Sequence, residues 1–201
     1  MVFTKKEVIH SKDYSYNNNL HTRESHNCYT YFLNLKSKKA YNLCKDRYNS
    51  EHICRRPQPG YASNMPLLKR SDYNCKTMMN RTLKDNPRIL RTTKKAKCPA
   101  THYKGALVVS PNKDYHYYRL NDDNVWTHKP GHKPSTNQNA DMQPITDPET
   151  ANRTYNSLDY KDFCGFLCVP RSRNKKTMKM YYDINKHKQH TPLNQISRNK
   201  R

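Results

Sequence analysis

Cys28 and three histidines have the types and spacing for nucleophilic chemistry. Cys28 opens an apolar pattern, Cys28, Tyr31, Phe32 and Leu35, at the i, i+3, i+4, i+7 spacing of one helix face. Asn27, or Ser25 two residues earlier, is the candidate N-cap. A thiol in that first turn lies beneath free backbone N–H groups and the positive end of the helix dipole, a placement that favours the thiolate. His102, His116 and His128 lie on or beside predicted strands. Cysteine–histidine chemistry needs an imidazole within hydrogen-bond reach of the sulfur and a third polar group to orient the ring. A strand pair meets this need when one histidine comes over the helix N-terminus and a neighbour backs it. Without chemistry, Cys28 is a small buried hydrophobe on a helix face and the histidines are surface residues of a basic protein.

Positioning these groups falls to residues 98–131. Lys104 to Val109 is a nearly continuous apolar run closed by Ser110-Pro111-Asn112, where proline and asparagine favour a turn. Asp114 to Leu120 alternates, with Tyr115, Tyr117 and Arg119 on one face and His116, Tyr118 and Leu120 on the other. After the polar loop 121–124, Val125 to His128 forms a third run stopped by Pro130-Gly131. The pattern predicts an antiparallel meander. Residues 159–170 predict a further short buried strand, and 75–83 a weak helical pattern ended at Asn86-Pro87. Arg56-Pro57-Gln58-Pro59-Gly60-Tyr61 excludes helix and central strand. Residues 131–158 have no usable period. The expected fold class is α+β: a small antiparallel sheet with the N-terminal Cys28 helix packed on one face and long loops. One domain over 25–170 lies between an irregular arm, 1–24, and a basic tail, 171–201, which has a short helix or strand at 178–184.

The chain of 201 residues is 33% hydrophobic, with 16 tyrosines and a net charge of +22; its mean hydropathy is −1.22. Such a core is small and relies on half-buried tyrosines. The positive balance implies an anionic partner, whether nucleic acid, a membrane surface or an acidic polymer. Lys94, Lys95 and Lys97 in the loop 91–97, and Arg171, Arg173, Lys175 and Lys176 in the tail, are the candidate phosphate-binding residues, with Tyr181 and Tyr182 placed for stacking. No apolar run is long enough for a membrane span, and the first residues lack the apolar stretch of a signal peptide. An intracellular location follows, and with it seven free thiols, an odd number in any case. Cys164 and Cys168, four apart in a strand, face one side about 13 Å from each other and do not share a zinc without a bend at Gly165. His187-x-x-His190 is an opportunistic metal pair. No metal and no cofactor are expected. Four glycines leave no phosphate-binding loop.

Six segments carry a resemblance: Asn27-Cys28-Tyr29-Thr30-Tyr31, Arg56 to Tyr61, His102 to Val109, Asp114 to Arg119, Trp126 to Gly131 and Asp162-Phe163-Cys164-Gly165. Together they resemble an uncharacterised family of bacteria and large DNA viruses, including amoeba-infecting giant viruses. More distantly, the order of cysteine on a helix, Pro-Gly turn, histidine before an apolar strand and polar residue on the next strand is similar to the NlpC/P60 and CHAP papain-like peptidases and amidases. That likeness implies a papain-like cysteine hydrolase, or an inactive relative. Cys28 would be the nucleophile, His102 or His128 the base and His116 its orienter. The oxyanion would sit on backbone N–H groups at the start of the Cys28 helix, and the substrate would be a peptide or other amide. The family resemblance implies the virion or host cytoplasm. The rival reading is a basic virion-associated structural protein that binds nucleic acid or an acidic protein surface. The sequence leaves the oligomeric state open.

Overall fold

The computed structural model describes residues 14–171 apart from 39, 43, 46–53 and 55, and not the side chains of 14 and 15. The helices include α1 (Tyr14–Asn17), α2 (Leu20–Ser25), α3 (Cys28–Phe32) and α4 (Cys75–Asp85). The strands are β1 (Leu90–Thr92), β2 (His102–Ser110), β3 (Asp114–Leu120), β4 (Trp126–His128), β5 (Thr154–Tyr155), β6 (Leu158–Asp159) and β7 (Asp162–Pro170). The fold is α+β, and the predicted meander is β2–β3–β4. Strand β7 inserts beside β2, giving an antiparallel sheet in the order β1-β7-β2-β3-β4.

Alternation divides the sheet into two apolar faces. Leu107, Val109, Tyr115, Tyr117, Leu167 and Val169 pack with α3 and α4. Ala106, Val108, Tyr118, Trp126 and Phe166 pack with Ile145 and Tyr160 of the long connection on the other side. A strand covered on both sides reads as a continuous apolar run, which is why β2 shows no clean alternation. The connection between β4 and β7 is therefore a packed second layer. Bridges His128–Thr136 and Gln138–Pro144 and the β5–β6 hairpin organise it.

Of the two candidate caps, Asn27 and not Ser25 caps α3, in a reciprocal capping box with Thr30. It lasts only five residues. Asn34 adopts a left-handed φ of 51°, and the Asn34 and Leu35 N–H groups close back on the Tyr31 and Thr30 carbonyls. Leu35 reaches the core from beyond the helix. Gly105 lets α3 lie close, since a Cβ there would stand 2.4 Å from the Phe32 ring.

Two expectations need correction. Residues 14–24 of the expected irregular arm are not irregular: α1 and α2 fold onto the domain, Tyr16 is fully buried, and its hydroxyl donates to the Leu35 carbonyl at 3.2 Å. Cys164 and Cys168 do not face the same side. The β2–β7 register steps from Leu107–Gly165 to Val108–Phe163, so Cys164 is the extra residue of a β-bulge. Cys164 thereby joins the helix face while Cys168 stays on the Phe166 face. Residues 172–201, including the segment expected at 178–184, lie outside the described residues.

Gly165 holds the bulge at φ +125°, a conformation that a residue with a Cβ reaches only with strain. Gly165→Ala is expected to lower stability by about 1–3 kcal/mol. Chemical denaturation of the oxidised protein measures it, and an unchanged midpoint would mean that the bulge needs no glycine.

Candidate functional site

Cys28 is the free cysteine among the described residues, and it is 5% exposed. Its Sγ lies 4.0 Å from the Tyr115 carbonyl oxygen, to which the thiol donates. Burial drives its pKa far above the ordinary thiol value, and the negative charge of Asp114 adds to this. Backbone hydrogen bonds at Tyr117 and Tyr29 oppose the shift and do not overcome it. Burial thus outweighs the backbone donors at the start of α3, and the expected activation at the helix N-terminus does not prevail. The Thr30 N–H donates to the Asn27 side chain at 3.1 Å, and the Tyr31 N–H donates to the Asn27 carbonyl at 3.0 Å.

The histidines stand on the other side of the sheet. Cys28 packs with Tyr115 and Tyr117, whereas His116 lies between them in β3 and projects oppositely, with Tyr118. His128 pairs in register with Tyr118 and shares that face. His102 is opposite Pro170, in phase with Cys168 and Phe166, and so also points away from Cys28. It is also five residues along β2 from Leu107, roughly 17 Å at the strand rise. The arrangement required for a Cys28 nucleophile with His102 or His128 as base and His116 as orienter is not assembled.

The structure instead joins His116 to His128. His116 Nε2 is 2.7 Å from His128 Nδ1, and His128 Nε2 is 2.8 Å from the Gln138 carbonyl. A carbonyl only accepts, so His128 Nε2 carries the hydrogen and its Nδ1 accepts from His116 Nε2–H. Burial holds both rings neutral: His128 is lowered to about 4, and His116 well below its usual value, with His128 as the secondary cause. This chain fastens β3 to the long connection through β4. His102 lies at the surface, where its ring nitrogens meet Thr101 Oγ1 at 2.9 Å and the Arg88 carbonyl at 3.0 Å.

The remaining cysteines form disulfides, which corrects the expectation of seven free thiols. Cys44 pairs with Cys54, Cys75 with Cys164, and Cys98 with Cys168. An odd count of seven is compatible with three bridges and one leftover thiol, but connectivity is not readable from spacing. Among the described residues, no group of three or more His, Cys, Asp or Glu is placed to hold a metal ion. His187 and His190 lie outside the described residues.

Of the candidate anion-binding residues, Lys94 pairs with Asp147 at 2.5 Å and Arg171 with Asp122 at 2.5 Å. Lys95 and Lys97 are exposed. Arg173, Lys175 and Lys176 lie outside the described residues. Other charged groups are interior supports that hydropathy gives no reason to bury. Lys129 is fully buried, and its ammonium donates to the Arg23 and Gly131 carbonyls at 2.7 Å each. Asp85 accepts from Tyr29 Oη, from the Gly60 and Ser63 N–H groups and from Ser63 Oγ. Burial raises its pKa, against the pull of those donors.

Two measurements check these assignments. Native oxidised protein treated with iodoacetamide near pH 8.5, where an ordinary thiol is half ionised, should leave Cys28 unmodified until denaturant is added. Peptide mapping reads this, and fast labelling of the folded form would contradict the buried thiol. Stability should fall as pH drops from about 6.5 toward 4, because the unfolded histidines take up protons that the buried rings refuse. His128 alone accounts for roughly 3 kcal/mol of that loss. The raised carboxyl of Asp85 works in the opposite direction, so Asp85→Asn should steepen the fall. A denaturation midpoint flat across this window would show rings that titrate normally.

No family model and no solved structure matches the chain. A stretch of 69 residues is 46% identical to Insoluble matrix shell protein 1 of Ruditapes philippinarum, covering 34% of this chain and 44% of that protein. The chain thus matches less than half the length of this curated relative.

Proposed function

We propose that the protein is a basic, disulfide-stapled structural protein that binds acidic macromolecular surfaces in an oxidised, matrix-like assembly. The observation that carries this reading is the sheet standing between Cys28 and all three candidate histidines. His116 and His128 instead tie the long connection to the sheet. The whole chain carries a net charge of +22, which attracts polyanions and repels copies of itself. Three disulfides suit an oxidising compartment and replace the virion or cytoplasm as the favoured location. The relative's name, an insoluble matrix protein of shell, agrees with a structural role outside the cell. The cysteine-hydrolase reading has no geometric support of its own.

The test is binding of the full-length oxidised protein to polyaspartate by calorimetry as salt rises from about 50 to about 500 mM. Counterion release predicts a loss of affinity of more than about tenfold over that range. Cys28→Ala should leave binding unchanged. Salt-independent or absent binding would overturn the proposal, as would amidase activity in the wild type that Cys28→Ala abolishes.

A further inference from the structure

Strand β1 ends the sheet, with β7 on one side and no strand on the other among the described residues. The opposite edge is closed differently: β4 continues into the bridge between His128 and Thr136. An open edge offers main-chain N–H and C=O groups to any extended chain that reaches it. Leu90 is 45% exposed, one of the few large apolar side chains left in solvent, and Arg91 beside it is exposed too.

The basic loop after β1 is fixed in place. Lys104 Nζ donates to the carbonyls of Thr93, Lys94 and Ala96 at 3.1, 2.6 and 2.6 Å. The disulfide from Cys98 to Cys168 ties the end of the loop to β7, directly opposite Leu90 in the register. Lys94 is held against Asp147. With the carbonyls drawn inward to Lys104, the side chains of Lys95 and Lys97 stay exposed, and neither has an ion pair among the described residues. Alternation places Arg91 on the face opposite Leu90 and Thr92. Positive charge therefore lies on this short edge strand, at Arg91, and in the fixed loop that follows it, at Lys95 and Lys97.

We propose that this edge accepts an extended acidic polypeptide segment, which pairs with β1 as a sixth strand while its carboxylates meet Arg91, Lys95 and Lys97. This deepens the proposed function and rests on it, naming the partner as an acidic protein. A nucleic acid or a polysaccharide can meet the same charges but cannot continue a backbone ladder with a repeat of about 3.3 Å. A second copy of this chain is disfavoured because it would bring the same cations to the same edge. The apolar footprint of Leu90 selects a segment that alternates acidic and apolar residues.

The test uses the full-length oxidised protein and an end-blocked peptide of about ten residues alternating Asp and Val, a length that spans an ordinary strand. Two further peptides carry N-methyl groups on all Asp or on all Val residues. In an added strand every second N–H faces the edge, so one methylated form should lose at least about tenfold in affinity while the other binds like the parent. The triple variant Arg91→Glu, Lys95→Glu, Lys97→Glu should lose the parent peptide to a similar extent. Equal behaviour of the two methylated peptides overturns the strand addition, and so does full binding by the triple variant. Polyaspartate binding, measured in parallel, separates the cases: if it persists while the peptide results fail, the edge assignment is wrong and the polyanion-binding role stands. Loss of both sinks the role itself.

Discussion

The extra residue in β7 is the constraint on which both layers of the structure depend. Without it, Cys164 and Cys168 would project from the same face, and the strand could be stapled to only one layer. With the bulge at Cys164 and Gly165, one strand is bonded to α4 through Cys75 on the helix side and to the loop before β2 through Cys98 on the other. The bridges close sequence separations of 89 and 70 residues. By loop-closure entropy, each restricts the unfolded chain by about 4–5 kcal/mol. That is a large share of the stability of an ordinary domain. A chain this polar has few other sources of it.

The same strand alternation decides which side chains meet. Histidines at positions 102, 116 and 128 all fall in the phase that points away from Cys28, so the sheet assigns imidazoles and thiol to different layers. The segments that carry the sequence resemblance are then accounted for as joints. Gln58 accepts from Tyr115 Oη, the Pro57 carbonyl accepts from the Asn27 side chain and the Pro59 carbonyl from Arg81. His128 and Lys129, consecutive in the chain, fasten the long connection and α2 to β4 from opposite faces. These motifs supply polar atoms to interior seams, which is how a core with a small apolar inventory specifies a single arrangement.

Much of this was legible in the sequence. The meander, the Asn27 cap and the helix from Cys75 follow from periodicity and turn chemistry. What escaped reading depends on information that is not local. Spacing alone does not reveal a bulge, and a strand of nine residues without it would have kept Cys164 and Cys168 in phase. Face assignment for Cys28 against His116 required the identity of the residues packed on each side, since β2 and β3 are apolar on both. The asparagines have a partial structural cause. Asn34, Asn64, Asn112, Asn124 and Asn156 occupy left-handed backbone positions at turns, where a short amide side chain is tolerated in place of glycine. With four glycines in the chain, asparagine takes over much of their conformational work.

Tyrosine performs the corresponding service in the core. An apolar ring with a polar tip fills volume but leaves a hydroxyl that must be satisfied when buried. Here Tyr29 reaches Asp85, Tyr31 meets Thr127, Tyr103 donates to the Phe32 carbonyl, Tyr117 meets Thr82, and Tyr160 donates to Asp114. These bonds run between elements rather than within them, so each ring is both filler and tie. A core built this way tolerates little displacement, because a shift that an aliphatic side chain would absorb breaks a hydrogen bond and strands a buried hydroxyl. Such an interior does not favour the opening and closing that a buried catalytic thiol would need. It suits a domain whose layers keep one arrangement, since each of these hydrogen bonds joins two elements.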